Sequence, residues 1–589
     1  MKSGLFGFGA LIWALPLHAQ GQAPDPLAPL TQADAQATKP AQQSTQAPLA
    51  QPVPARPPIV VPKDWRGVFD AIDAGNWASA QAGITALPSS VLTPLAKAEL
   101  YTAKGSPTVS LPAIQALIAE APELPQAEQL ARMAQARGAI EPLFVNAQRR
   151  TISLGSAPGR YRAKPVQGDP VADQLRDILT PYVKADDAAG AEAQFLVYAP
   201  QLSLEARAEL SQRVAWIYYI LGLDLDARRV ADTWRPGATG EWASQAAWIS
   251  ALSSWRMGDC NSASRAFQQV ASFTTQRELR AGGYYWAARA EQMCHRPSAV
   301  EPLLRLASAA AESAESFYGL IARECLGMPT KLPPDPLNGF DPPVDQLPNV
   351  RRATELARIG ESGLAEEMLR HQAKIGLPTE HHALVKVARK LDLAAVQFWL
   401  ATNGQPGARS SYADRYPNPK WTPLGGWRVD PALAYGHIVQ ESSFRRTAVS
   451  PADAVGLMQV RPGTARDMAR ARGTALGSLT DPATNLEYGQ TFIEMMRRST
   501  ATAGQLPRVI ASYNAGPLPV GRWATINDKG DPLLWIESIP YWETRFYVPA
   551  VLRNMWVYQG LNDQPTPTLR SVAQHRWPDF PTGTTRLSH

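Results

Sequence analysis

The sequence predicts an all-α protein, a helical-repeat superhelix followed by a compact α-helical domain. Three observations carry this. Apolar residues recur at helical spacing over most of residues 64–404. A helix-ending Gly followed five positions later by Ala repeats along that region, at Gly75/Ala80, Gly222/Ala227, Gly258/Ala263 and Gly360/Ala365. Strand signals are scarce, apart from an irregular stretch near Thr151–Pro165. The chain has 589 residues, 45% hydrophobic and 19% charged, which is globular rather than wholly disordered. That length holds about three to five domains or a long repeat array. The 52 prolines are in excess of the usual ~5%. They forbid one uninterrupted helical bundle and demand short, punctuated elements.

Residues 1–19 read as a secretory signal. Lys2 precedes an apolar run from Leu5 to Leu17, and Ala19 offers a small residue for cleavage. A run of about 13 apolar residues is too short for the ~20 needed to span a bilayer. Residues 20–63 are dominated by Ala, Gln and Pro, a composition that buries little and predicts a disordered linker, either a tether or a spacer. No later segment has 18 uncharged apolar residues; the longest candidate, Val214–Leu223, reads as a buried helix and predicts no stable membrane span.

Residues 64–404 form the predicted array. One helix of it places Leu204, Ala208, Val214, Ile217, Tyr218 and Leu221 on an apolar face, with Ser211 and Gln212 on the polar side. Gly at a helix end supplies the left-handed backbone that terminates it, and the following Ala lets two helices approach. The step from Gly222 to Gly258 is 36 residues, near the period of helical-hairpin repeats. Such arrays offer curved binding surfaces. The three cysteines exclude a disulfide-dense scaffold. Cys260 and Cys294 are a candidate pair in an exported chain, leaving Cys325 free; three buried thiols are the alternative. Their spacing matches no metal-ligand pattern, and no metal or cofactor is expected.

A Gly/Pro/Ser-rich linker at Gln405–Gly426 leads into a predicted catalytic domain at 425–560, with a tail at 561–589. Asp430-Pro431 is an N-cap followed by Pro at the first helical position. That helix ends in Glu441-Ser442-Ser443-Phe444, with Glu441 beside its apolar face. Gly456-Leu457-Met458-Gln459 follows, and Pro462 opens a new helix. Tyr513-Asn514-Ala515-Gly516 stands at another helix end, and Glu543 sits among the aromatics of Ile539–Val548.

These four blocks, in this order, resemble the soluble lytic transglycosylases of bacterial cell-wall metabolism. The resemblance covers about Asp430 to Val557, and the array upstream is similar to that family's ring-shaped superhelix. It implies a lysozyme-like catalytic domain in the periplasm, acting on peptidoglycan glycan strands. It implies Glu441 as the one acid/base, with the substrate's N-acetyl group as second partner. Ser442 is then expected to position the acid or the sugar. Met458 and Gln459 are expected to contact saccharide, and Tyr513 to orient the acetamido group. Asn514 is expected to fix its turn, and Glu543 to bind substrate or hold the cleft. For most of these residues a structural role is the alternative: core for Met458 and Tyr513, caps for Gln459 and Asn514, an ion pair with Arg545 or another nearby base for Glu543. Three positions depart from the family's pattern: Asp453 stands where Gly is usual, Arg461 where an apolar residue is, and Ser512 where Ala is.

The net charge of +6 suits a carboxylate-bearing wall polymer, though spread thinly. No phosphate-binding loop or nucleic-acid motif is present, so no nucleic-acid partner is expected. Cell-wall synthesis or turnover proteins are candidate protein partners. Two rival functions remain: a lysozyme-like hydrolase and a non-catalytic wall-binding scaffold.

Overall fold

The computed structural model describes residues 59–581, apart from positions 311, 338, 340 and 472. The signal reading of residues 1–19, and all of the 20–63 segment before residue 59, lie outside the described residues. The array begins at helix Trp65–Asp73, whose N-cap Asp64 accepts from the Gly67 N–H. Helical hairpins then follow one another to Ala394–Thr402. The irregular stretch near residue 151 yields one two-residue strand, Ile152–Ser153, antiparallel to Asn403–Gly404.

The helix ends behave as the repeated pattern predicts. Gly75, Gly222, Gly258 and Gly360 have φ of 71°, 78°, 78° and 89°. The next N–H bonds back five residues in each case: Asn76 to Ala71, Leu223 to Tyr218, Asp259 to Ser254 and Glu361 to Leu356, at 2.8–2.9 Å. The partner alanines 80, 227, 263 and 365 are fully buried. Asp186, His295 and Asp392 adopt the same left-handed conformation with the same return bond. Their hairpins escape a Gly-based pattern because Asp, like Asn and His, enters this region at small cost. Helix Leu204–Ile220 is buried more evenly than one polar face would allow. Ser211, expected on the wet side, is fully buried and donates to the Ala208 carbonyl.

Cys260 and Cys294 are bridged, and Cys325 is free and exposed. The bridge ties the start of helix Cys260–Phe273 to the end of Arg277–Met293.

Two large hydrophobic cores result, with a small cluster around Trp242, Ala163 and Ala208 beside them. One joins the first helices, residues 68–134, to residues 344–400. Arg352 pairs with Glu123 at 2.6 Å across that junction, and Asn349 donates to the Glu123 carbonyl. The other runs from residue 172 to 322 and continues without a break into 416–580. The segment between Gly155 and Val166 straps the two halves together: Arg160 pairs with buried Glu537, and Arg553 donates to the Pro158 carbonyl. Phe317 stacks on Trp556 at 5.3 Å. The residues set apart as a tail are packed structure up to 581. Helix Pro567–Ala573 buries Leu569 and Val572, and Trp556 donates to Thr568. No helix among the described residues is long and apolar enough to cross a membrane.

Candidate functional site

The site is built on two helices that approach closely. Helix Pro431–Glu441 is capped by Asp430, which accepts from Ala432 N–H and is held by Gln559. Gly436 permits the contact: a Cβ there would lie 3.0 Å from the Val551 carbonyl of helix Trp542–Leu561. Asn554 of that helix donates to the Gly436 carbonyl. The approach brings residues one turn further along each helix together.

Glu441 is the last helical residue and is partly buried. Its Oε1 accepts the Tyr547 hydroxyl at 2.5 Å. Burial raises the Glu441 carboxyl to about 7; the Tyr547 hydrogen bond opposes the rise and the charge of Glu543 adds to it. Tyr547 also meets His437 Nδ1 at 2.7 Å. His437 is fully buried, and burial holds its imidazole down at about 3, hence neutral. Burial pushes both the Tyr547 and Tyr513 phenols well above their usual range.

Immediately after Glu441 the chain reverses through two consecutive left-handed residues, Ser443 (φ 51°) and Phe444 (φ 66°). Such a conformation costs about 1–3 kcal/mol per non-glycine residue. Phe444 is fully buried, with its ring 6.3 Å from each of Tyr435, Phe398 and Trp421. Burying one Phe is worth about 1.5–3 kcal/mol, which offsets the cost of one of these two residues.

Residues 449–460 fold over this end as a bridged loop. The Ser442 hydroxyl does not bond the Glu441 carboxyl. Ser442 is buried and its hydroxyl donates to the Leu457 carbonyl at 2.8 Å, so it pins the loop to the acid-bearing helix rather than holding the acid. The Met458 side chain takes the core alternative: it is fully buried against Gly489, where a Cβ would fall 2.1 Å from its sulfur. Its contribution is main chain, because its carbonyl accepts the Tyr513 hydroxyl at 2.7 Å. Gln459 (φ 48°) turns its amide nitrogen back to the Ala448 and Gly456 carbonyls. Asn514 accepts from Thr544 at 2.6 Å, joining the end of helix Leu506–Ala515 to the Glu543 helix. Glu543 is partly buried and its charge is felt at Glu441 and Tyr547. Arg545, one of the bases offered as an alternative ion partner, lies over the Trp216 ring at 3.7 Å.

The departures are explained in part. Asp453 has φ 59°, so a left-handed residue is required there and Asp serves in place of Gly. Arg461 is exposed. Ser512 is buried with an unpartnered hydroxyl, and nothing in the structure explains it.

Three contributors were missed in the sequence: His437, Tyr547 and Asn485. Asn485 is fully buried and clamps the loop with bonds to Met458 N–H and to the Val455 and Leu479 carbonyls. His437 and Tyr547 had a readable signal. Each stands four residues, about one helical turn, from a singled-out carboxylate: His437 before Glu441, Tyr547 after Glu543.

An all-α array with a carboxyl-centred site at its C-terminal end is the class these features define. Residues 424–536 match the family model of the transglycosylase SLT domain. Glu543 and Tyr547 lie beyond the matched stretch. Over 270 residues the chain is 29% identical to the soluble lytic murein transglycosylase of Escherichia coli, covering 42% of this chain and 40% of that one. It is 37% identical to the Salmonella typhimurium protein of the same name over 123 residues, 19% of this chain and 18% of that one. The chain thus matches less than half the length of these relatives. A solved inactive mutant of lytic transglycosylase Slt from Pseudomonas aeruginosa shares the fold at TM-score 0.51 and 17% identity, covering 87% of this chain and 88% of that one. The 70-kDa soluble lytic transglycosylase in complex with bulgecin A does so at TM-score 0.53 and 16% identity, covering 85% and 97%. The resemblance to the soluble lytic transglycosylase family therefore holds in domain, relatives and fold.

Proposed function

We propose that this chain is a periplasmic peptidoglycan lytic transglycosylase that cleaves the β-1,4 bond between N-acetylmuramic acid and N-acetylglucosamine. The observation that carries the proposal is the Glu441 carboxyl, raised to about 7 by burial and oriented by Tyr547. A general acid works best when its pKa lies near the operating pH.

In this reading Glu441 gives its proton to the bridging oxygen as the C1–O bond breaks. The muramyl acetamido oxygen forms a bond to C1, giving an oxazolinium ion. Glu441, now a carboxylate, takes the proton of the C6 hydroxyl. The C6 oxygen then attacks C1, the acetamido oxygen leaves, and the amide and the acid are both restored. The product is a 1,6-anhydromuramic end and no water is consumed. In this reading Tyr513 orients the acetamido group, Gln459 hydrogen-bonds saccharide, and Glu543 binds substrate or holds the cleft.

The electrostatic contact of Glu543 with Glu441 favours one alternative, a hydrolase with two carboxylates. The mass of soluble products released from purified peptidoglycan separates the two. Anhydro products are one water lighter, and reducing muramic ends alone would overturn the transglycosylase reading. Glu441→Gln should lower turnover by at least about 10²-fold. Wild-type protein without turnover would instead favour the wall-binding scaffold.

A further inference from the structure

We infer that His437 is a positioning residue that directs the Tyr547 hydroxyl proton onto Glu441 and thereby sets the protonation of the proposed acid. The inference rests on the transglycosylase reading for its role in catalysis.

Tyr547 has one proton and two neighbours. Its oxygen lies 2.7 Å from His437 Nδ1 and 2.5 Å from Glu441 Oε1. If Nδ1 carries the imidazole proton, it donates to the Tyr547 oxygen and the phenol must donate to Glu441. If Nδ1 is bare, it competes for the phenol proton. The protonated acid could then turn its own proton inward, onto the Tyr547 oxygen, away from substrate. The surroundings favour the first arrangement. His437 Nε2 is buried without a hydrogen-bond partner. A buried orphan N–H is rarer than an orphan acceptor, so the proton belongs on Nδ1.

The imidazole stays out of titration itself. It is enclosed by the Tyr513 ring at 4.4 Å and the Tyr547 ring at 5.7 Å, and burial is what holds it neutral. The titratable groups bearing on the chain His437–Tyr547–Glu441 are Glu441 on the same helix as His437, Tyr547 and Glu543 on the facing helix, and Tyr513 on the third. With Oε1 occupied by a donated proton, the acid's own proton is left on Oε2. The same donation stabilises the carboxylate that must form after proton transfer. The donor chain therefore lowers the Glu441 pKa against burial, and its loss raises it.

The test compares pH profiles of kcat/KM on soluble glycan strands. Activity requires protonated Glu441, so it falls as pH rises through the Glu441 pKa. His437→Leu should move that falling limb up by about one pH unit and lower the maximum by about tenfold. His437→Asn, which places an N–H near the Nδ1 position, should return the limb to the wild-type pH. Tyr547→Phe should shift the limb by itself, and adding His437→Leu to it should shift it no further. A His437→Leu profile superimposable on wild type, or additive shifts in the double variant, overturns the inference. If His437→Leu fails to fold, as judged by circular dichroism and melting, Asn and Gln variants decide, since only Asn offers the donor at Nδ1. Equal profiles for those two overturn it. If the wild-type protein shows no turnover, the transglycosylase reading fails separately. The Glu441 carboxyl band, assigned by its loss in Glu441→Gln, is then titrated by infrared spectroscopy. A band unmoved by His437→Leu overturns the positioning role; an upward shift upholds it.

Discussion

The helical array and the site domain both turn their chains through left-handed backbone, and they do so with different residues. In the array the job falls to glycines at hairpin ends, such as Gly75, Gly222, Gly258 and Gly360, helped by Asp and His. Around Glu441 it falls mostly to residues other than glycine, Ser443, Phe444, Asp453 and Gln459, alongside Gly456. In the array the turn is an end of a helix, open around Gly222 and Gly258 and touched only by side chains at Gly75 and Gly360. In the site the turn is over-determined by packing: Phe444 is buried among three aromatics, and Gln459 is tied to two carbonyls of its own loop. Unfavourable conformations of this kind persist only where the surroundings force them, and they gather at functional sites. The array uses left-handed residues to repeat a shape. The site uses them to hold one carboxyl in one place.

A matched pair of substitutions tests this contrast most strongly. Gly456 and Gly258 have nearly the same φ, 82° and 78°. A Cβ on Gly456 would stand 2.3 Å from both the Leu479 carbonyl and Asn485, whereas one on Gly258 meets nothing within 4 Å. Gly456→Ala should cost about 3–5 kcal/mol and turnover with it, from strain plus overpacking. Gly258→Ala should cost only about 1–2 kcal/mol, from strain alone, and leave turnover intact. Denaturant melts of the two variants check this; equal losses would break the contrast.

Second in size is the bridge. Cys260–Cys294 closes a loop of 34 residues within the array. Reduction should destabilise the folded chain by about 3–4 kcal/mol, read as a lower melting temperature. Thiol counting should find one free group, Cys325, in the denatured unreduced chain and three after reduction.

Third is the cost of the site's own carboxyl. The native pKa of Glu441 is raised to about 7. Stability is therefore lost as pH climbs from the ordinary carboxyl range to about 7, because the unfolded chain ionises first. Replacing the group removes that loss. Glu441→Gln should be more stable than wild type by about 1–3 kcal/mol at pH 8 and no different at pH 4. Melts at the two pH values check it.

The smallest effect is at Asp453. Its left-handed turn is already served by Asp, and its N–H bonds to Ser450 at 2.8 Å. Asp453→Gly should change stability by less than about 1 kcal/mol and turnover by less than about twofold. A larger loss would mean that the Asp side chain acts at the site.

Local features were legible from the residues alone. Helical periodicity, Gly at helix ends and Asp430-Pro431 are short-range devices, and each appears where its residues stand. The four blocks identified Glu441 and its neighbourhood through their order along the chain. Which groups in those blocks face the site depends on the packing of distant helices. Met458 turns into the core and Ser442 away from the acid because Gly489 and the Leu457 carbonyl lie there, and both come from elsewhere in the chain. His437 and Tyr547 meet across 110 residues, at a crossing that Gly436 permits. The seam from Arg160 to Glu537 spans 377 residues. Hydrogen bonds and burial of this kind depend on which helices pack together, and periodicity reports only that a helix has a face, not what the face will meet.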